Sequence, residues 1–155
     1  MRTISESEDM VFVLLTQVAA TWTMVGLIWF VQIVHYPLFA QVGTNLFPEY
    51  EVAHNRRTTW VVGPPMLVEA ATVLALLLFK QESIPSGQVW SGVVLLLIIW
   101  ISTALLQVPQ HEILTHGFVA EAHRFLVTSN WVRTVAWTLH GVLVLMMLEG
   151  TIGKR

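Results

Sequence analysis

Residues 10–34 read MVFVLLTQVAATWTMVGLIWFVQIV, a run without a single charged side chain. A helix needs about 20 predominantly apolar residues to cross the hydrocarbon core of a bilayer. Three further segments meet this requirement, at residues 60–79, 89–106 and 131–148. The sequence therefore predicts an all-α integral membrane protein with four transmembrane helices in one bundle.

The composition supports this assignment and excludes several classes of protein. Of the 155 residues, 55% are hydrophobic and 12% are charged, which is too apolar for an ordinary soluble domain. The net charge of −2 includes no polybasic run, so no nucleic-acid partner is expected. Cysteine is absent, which removes disulfides, thiolate metal sites and iron–sulfur clusters. The length predicts a single membrane domain over residues 1–155.

The two ends of the chain and the short link between the middle spans are expected on one side of the membrane. The N-terminal MRTISESED lacks the basic region and cleavage site of a signal peptide, so the first span should remain as an anchor. Lysine and arginine are evenly divided between the two sides. Because the arginines beside the long connections have a functional explanation, we predict a multi-pass protein of the cell inner (plasma) membrane with cytoplasmic termini.

The long connections, residues 35–59 and 107–130, share the opposite side of the membrane. Apolar residues at helical spacing predict short amphipathic interfacial helices at 46–58 and 113–128. The two halves of the chain also correspond, because Glu69 follows Trp60 and His140 follows Trp131 at the same spacing of nine residues. This correspondence suggests an internal repeat of two units, residues 10–79 and 89–148, although similar hydrophobic units could produce it by chance.

Each predicted span carries a polar stripe near the end with the long connections. Residues three, four or seven apart share a helix face. On that basis Gln32 groups with His35, Gln107 with His111, and Arg133 with His140. Polar side chains that face lipid are costly, so the stripes should converge inside the bundle as a polar cleft. Hydrogen bonds between helices, and an ion pair between Glu69 and Arg133, are the purely structural alternative.

Histidine is concentrated on the side of the long connections. Imidazole and carboxylate ligands suit zinc, iron or copper, so this clustering predicts a transition-metal site. The candidate ligands are His35, His54, Glu69, His111, His123 and His140. A straight helix rises ~14 Å from Trp60 to Glu69, so one metal reaches all of them only if the chain bends. GPP at 63–65 could provide that bend; otherwise there are two sites, or one site and a proton relay.

Two histidine positions also have simpler interpretations. Glu51 and His54 have the spacing of the Glu-x-x-His pairs of di-iron bundles, but this is one copy of a common spacing, and a capping pair on the surface is the preferred interpretation. His116 lies beside Gly117 and is interpreted as a loop residue without a role.

The segments HYPLF…FPEYEVAHNRRT…PPMLVE and SNWVRTVAW resemble small bacterial four-span membrane proteins of unassigned function. The architecture is more distantly similar to the anthrone-oxygenase-like membrane family. The local resemblance covers residues 35–69 and 123–140 and implies oxidative chemistry on an aromatic or quinone-like substrate. It assigns no role to any individual residue.

The leading functional prediction is a metal-dependent oxidoreductase that acts on a lipophilic small molecule in the cleft. Glu69 would be the catalytic residue, as a bridging ligand or a base. The residues expected to bind the substrate are Tyr36, Arg57, Asn130 and Arg133. Homo-oligomerisation is left open.

Two alternatives remain. A b-type haem protein would use His35 with His111, or His54 with His123, as axial ligands. A non-enzymatic transporter or structural subunit would use the same residues only for packing.

Overall fold

The computed structural model describes residues 4–79 and 83–153, and this part of the chain contains helices but no strand. Four helical stretches are long and apolar enough to cross a membrane: Glu8–Gln41, Phe47–Leu78, Ser86–Thr115 and Ala120–Ile152. The predicted all-α bundle of a multi-pass membrane protein is confirmed as far as the number, length and hydropathy of the helices. The helices are α1 (Ile4–Phe30), α2 (Tyr36–Leu38), α3 (Phe47–Leu78), α4 (Ser86–Ser102), α5 (Val108–Thr115) and α6 (Ala120–Ile152).

The segments expected to form separate interfacial helices belong to longer elements. Residues 47–58 are the first turns of α3, and residues 120–128 are the first turns of α6. Pro48 lies in the first turn of α3, where its missing N–H costs nothing, and no further proline occurs before Pro64. The helix also continues through Pro64 and Pro65, so GPP at 63–65 does not break it. Membrane helices tolerate such prolines because other groups satisfy the freed carbonyls.

Two π-helical turns join the pieces of the first and third stretches, at Val31–His35 and Thr103–Gln107. Each is followed within two residues by a proline, Pro37 in one case and Pro109 in the other. A proline ring clashes with the carbonyl four residues earlier, and a wider turn relieves that clash. Both halves of the chain therefore share this local geometry; whether they arose by duplication remains a prediction.

The bundle is packed around α6. Helix α1 packs against both α3 and α6, and α4 packs mainly against α6, whereas α3 and α4 touch only lightly. A central layer of the core contains Met24, Ile28, Met66, Ile99 and Trp137. The outer surface carries large apolar side chains, as expected for a surface that faces lipid.

Candidate functional site

The cluster nearest the long connections begins with two histidines in contact. His35 Nε2 lies 2.9 Å from His54 Nδ1, and Thr58 Oγ1 lies 3.1 Å from the same His54 nitrogen. The π-helical turn that ends at His35 brings this side chain to α3. The cluster therefore joins the first helical stretch to α3 at this end of the bundle.

A chain of three side chains crosses the same region. The Tyr36 hydroxyl lies 2.9 Å from His111 Nε2, and His111 Nδ1 is in short contact with Glu51 Oε1. With an ionised Glu51 and a neutral His111, His111 Nδ1–H donates to the carboxylate and Nε2 accepts a hydrogen bond from the Tyr36 hydroxyl. Glu51 is fully buried, and its other oxygen has no partner among the described residues. The sequence-based interpretation of Glu51 as a surface capping residue is wrong.

His123 lies beside this chain but has a different partner. His123 Nε2 lies 2.7 Å from the backbone carbonyl of Tyr36 and donates to it. The bond ties α6 to the segment that carries Tyr36. His123 does not line the cavity described below, so its observed role is to hold Tyr36 in place.

Arg133 is held by an amide rather than by a carboxylate. Its Nε and Nη2 donate to Asn130 Oδ1 at 2.9 and 2.7 Å, and Nη1 donates to Thr103 Oγ1 at 3.3 Å. Asn130 in turn donates to Gln32 Oε1 at 2.9 Å. No ion pair within residues 8–79 and 83–153 includes Arg133, so the predicted structural pair with Glu69 is not formed.

A cavity of about 630 Å³ brings these groups together. Most of its wall is apolar and comes from α1, α3, α4 and the turn after α4. Its polar lining includes Tyr36, His54, Gln107, His111 and Arg133. Of the four predicted substrate-binding residues, Tyr36 and Arg133 line the cavity. Asn130 does not line the cavity but accepts hydrogen bonds from Arg133. Arg57 is exposed and does not line the cavity either.

Glu69 and His140 form a second, separate cluster deeper in the bundle. The Trp137 indole N–H donates to Glu69 Oε2 at 3.0 Å, and Gln17 Nε2 lies 3.3 Å from His140 Nε2. Trp137 also lines the cavity and so stands between it and Glu69. Gln17 was not singled out from the sequence, although it is one of only two amide side chains in the first span.

The six predicted metal ligands are thus divided between two places. His35, His54, His111 and His123 lie at the Tyr36 end of the bundle, and Glu69 and His140 lie deeper. Within the described ranges, no group of three or more His, Asp or Glu side chains is arranged to hold a metal ion. Both ring nitrogens of His111 already have hydrogen-bond partners, so a metal would have to replace them.

The exposed His116 lies 3.8 Å from Glu112 at the end of α5. This position is consistent with its interpretation as a loop residue.

Comparisons with known proteins give no match: no family model, no curated protein and no solved structure is similar to this chain. The resemblance to the anthrone-oxygenase-like family therefore remains a prediction.

Proposed function

We propose that the cavity binds a lipophilic small molecule with an anionic or carbonyl head group, and that Tyr36 exchanges a proton with that head. The observation that carries this proposal is the state of Arg133. Arg133 is 8% exposed, lines the cavity and has no carboxylate partner among the described residues. A buried cation without a counter-charge is costly, and an anionic ligand oxygen would compensate it.

The apolar wall of the cavity favours a lipophilic ligand over a polar metabolite. Its size lies within the range of pockets that hold drug-sized molecules. Arg133 and Tyr36 mark one end, which fixes where an oxygen-bearing head would lie. In such a pocket the few polar groups set the orientation of the ligand, and the apolar wall contributes most of the affinity.

The bonds of Tyr36 favour a role as a general base. The head group would give its proton to the Tyr36 oxygen while the phenolic proton moves to His111 Nε2. His111 then carries a positive charge that the buried Glu51 carboxylate stabilises. The electron pair of the broken bond stays on the head group as an anion, and Arg133 stabilises that anion. Charge and protons balance without a further reactant.

A coloured acid provides the test. The probe is a 2-hydroxy-1,4-naphthoquinone with an alkyl chain, whose neutral and anionic forms absorb differently. At a pH close to the probe's own pKa in nanodiscs, where both forms are present, the purified full chain should bind it and shift it toward the anion. Arg133→Gln should weaken binding by ~10- to 100-fold, the usual value of a charge-assisted hydrogen bond. Arg57→Gln, an exposed arginine outside the cavity, is the matched control. Equal affinity in Arg133→Gln and Arg57→Gln would overturn the proposal.

The metal-dependent oxidoreductase predicted from the sequence stays a prediction. It draws support from the nitrogen donors that surround the cavity, since His54 and His111 line it and His35 contacts His54. The observed hydrogen bonds occupy those nitrogens, and among the described residues they leave no preformed site for zinc, iron or copper. Total metal analysis would identify a metal centre, a Soret band would identify haem, and absence of ligand binding would favour a transporter or structural subunit.

We also propose the cell inner membrane as the location, with the termini on the cytoplasmic side. The first turns of α3 and α6 would then lie at the opposite interface, where the exposed charged residues Glu49, Arg56, Glu121 and Arg124 are found.

A further inference from the structure

The cavity has an open side between α3 and the stretch formed by α4 and α5. Leu67 of α3 and Val108 of α5 both line the cavity, yet they are 63% and 55% exposed. Trp100 of α4 lines it and is 39% exposed. Since α3 and α4 touch only lightly, an apolar slot between them connects the cavity with the outer surface. In a membrane protein this outer surface faces lipid.

Tryptophans mark the depth of that slot. The rings of Trp29 and Trp131 are in contact at 5.6 Å, and Trp60 of α3 is 78% exposed. Tryptophan accumulates at the boundary between hydrocarbon and head groups. From Trp29 back to Asp9, and from Trp60 on to Phe79, the chain covers 19 to 20 residues. At 1.5 Å per residue each distance is about 30 Å, the thickness of a bilayer core.

This boundary places the polar and apolar ends of the cavity at different depths. Arg133 is two residues beyond Trp131 toward the bilayer centre, which is ~3 Å along the helix. Leu67 is seven residues beyond Trp60, or ~10 Å deeper along α3. The polar end of the cavity therefore lies at the level of lipid head groups, and the slot opens into the hydrocarbon.

We infer that the ligand of this cavity is a single-chain amphiphile that enters sideways from the bilayer. Its oxyanion or carbonyl head binds at Arg133 and Tyr36, and its apolar tail leaves through the slot past Leu67 and Trp100. The inference rests on the proposed function and adds the class of ligand and its route. The positive charge of Arg133 suits the head, and the slot is apolar at the depth where the tail would already lie in the membrane.

Gly63 allows the slot to be closed without disturbing the fold. It lines the cavity, and a Cβ added there would meet no atom within 4 Å. Gly63→Phe should therefore place a ring in the slot. Gly26 of α1 also has no atom within 4 Å of an added Cβ, is exposed and lies outside the cavity. Gly26→Phe is thus a matched control with the same added volume on a lipid-facing helix.

The experiment uses the full chain in phosphatidylcholine nanodiscs that contain a trace of stearic acid with a diazirine midway along its chain. After irradiation, mass spectrometry should find adducts on residues of the slot, including Leu67 or Trp100. Gly63→Phe should reduce this labelling at least tenfold, and Gly26→Phe should leave it unchanged. Arg133→Gln should also reduce it at least tenfold, because the head is no longer held.

The possible results separate the two proposals. If Arg133→Gln lowers labelling and Gly63→Phe does not, the sideways route is wrong while the proposed binding function stands. If neither variant lowers labelling, or if adducts spread evenly over the lipid-facing surface, the assigned ligand class falls. Failure of the coloured acid to bind in the separate test would overturn the proposed function itself.

Discussion

His140 Nδ1 lies 3.5 Å from Glu69 Oε1, and both atoms are fully buried without a hydrogen-bond partner among the described residues. Gln17 Oε1 and Thr21 Oγ1, on the neighbouring helix α1, are in the same condition. A buried polar group without a partner costs free energy. This deep cluster is therefore held in place by the surrounding packing rather than by a complete hydrogen-bond network.

Two substitutions of Glu69 distinguish the effect of its charge on stability from its effect as a hydrogen-bond acceptor. Glu69→Gln keeps an oxygen for the Trp137 indole and removes a buried charge, so the melting temperature should be unchanged or higher. Glu69→Ala leaves the indole N–H unpaired and should lower the free energy of unfolding by about 1–3 kcal/mol. Thermal unfolding of both variants measures this difference. A Glu69→Gln protein less stable than Glu69→Ala would show that the charge itself stabilises the fold.

The same Glu69→Gln variant tests the predicted catalytic role of this residue. If Glu69 binds a metal or acts as a base, metal content or activity should fall while the protein remains folded. A folded Glu69→Gln protein with unchanged metal content and activity would leave Glu69 a structural role only.

Tyr36→Phe should retain most of the affinity for the coloured acid and lose the shift toward its anion. The apolar ring is preserved, but the oxygen that accepts the proton is gone. Absorption spectra of the bound probe provide the measurement. Tyr50→Phe, a half-buried tyrosine that does not line the cavity, is the control. An unchanged anion fraction in Tyr36→Phe would assign the proton acceptor elsewhere.

Asn130→Asp should abolish the attraction of Arg133 for an anion with little change of side-chain size, although it also removes the hydrogen bond that Asn130 donates to Gln32. The new carboxylate would still accept from the guanidinium and would neutralise it at close range. We expect ~10-fold or greater loss of affinity for the coloured acid with the fold preserved. Asn55→Asp adds the same charge to the cavity wall on α3, where no described bond joins it to Arg133. If Asn130→Asp and Asn55→Asp lose affinity equally, the cause is repulsion between the added negative charge and the anion, and not neutralisation of Arg133 by residue 130.

A metal site of the predicted kind requires His54, whose side chain lines the cavity. His54→Ala should lower the metal content of the purified protein, measured by mass spectrometry, while the exposed His116→Ala should not. His123→Ala is also predicted to lower the metal content. Part of its effect is expected to come from loss of the hydrogen bond that holds the Tyr36 segment. Equal metal content in the wild type, His54→Ala and His123→Ala would remove both histidines from any metal site.

Hydropathy was sufficient to predict the bundle, because four uncharged or nearly uncharged stretches have few other stable arrangements. Tyr36 and Arg133 were among the predicted substrate-binding residues, and both line the cavity. The sequence pattern did not predict that residues of one polar stripe would bind different partners. A period of 3.6 residues placed Gln32 and His35 on one face, but the π-helical turn sends Gln32 to Asn130 and His35 to His54.

The partners of Glu51 could not be predicted from the sequence either. Its burial depends on α5 lying against α3, which brings His111 to it from 60 residues away. No local pattern distinguishes such a glutamate from an exposed one at the start of a helix. The single local signal was its position one turn from His54.

The two π-helical turns make the site sensitive to chain length rather than to side-chain identity. A π turn holds one residue more than an α turn of the same height. Because the extra residue is absorbed within the turn, deletion of Ile33 alone would close it as a regular α turn and leave His35 and Tyr36 facing as before. Insertion of one further residue would instead rotate them by about 100° relative to α1, one residue's share of a 3.6-residue turn. The lengthened chain would keep its four spans, yet Tyr36 would no longer point at His111. Insertions in Val31–His35 or Thr103–Gln107 therefore separate the membrane fold from the geometry of the cavity.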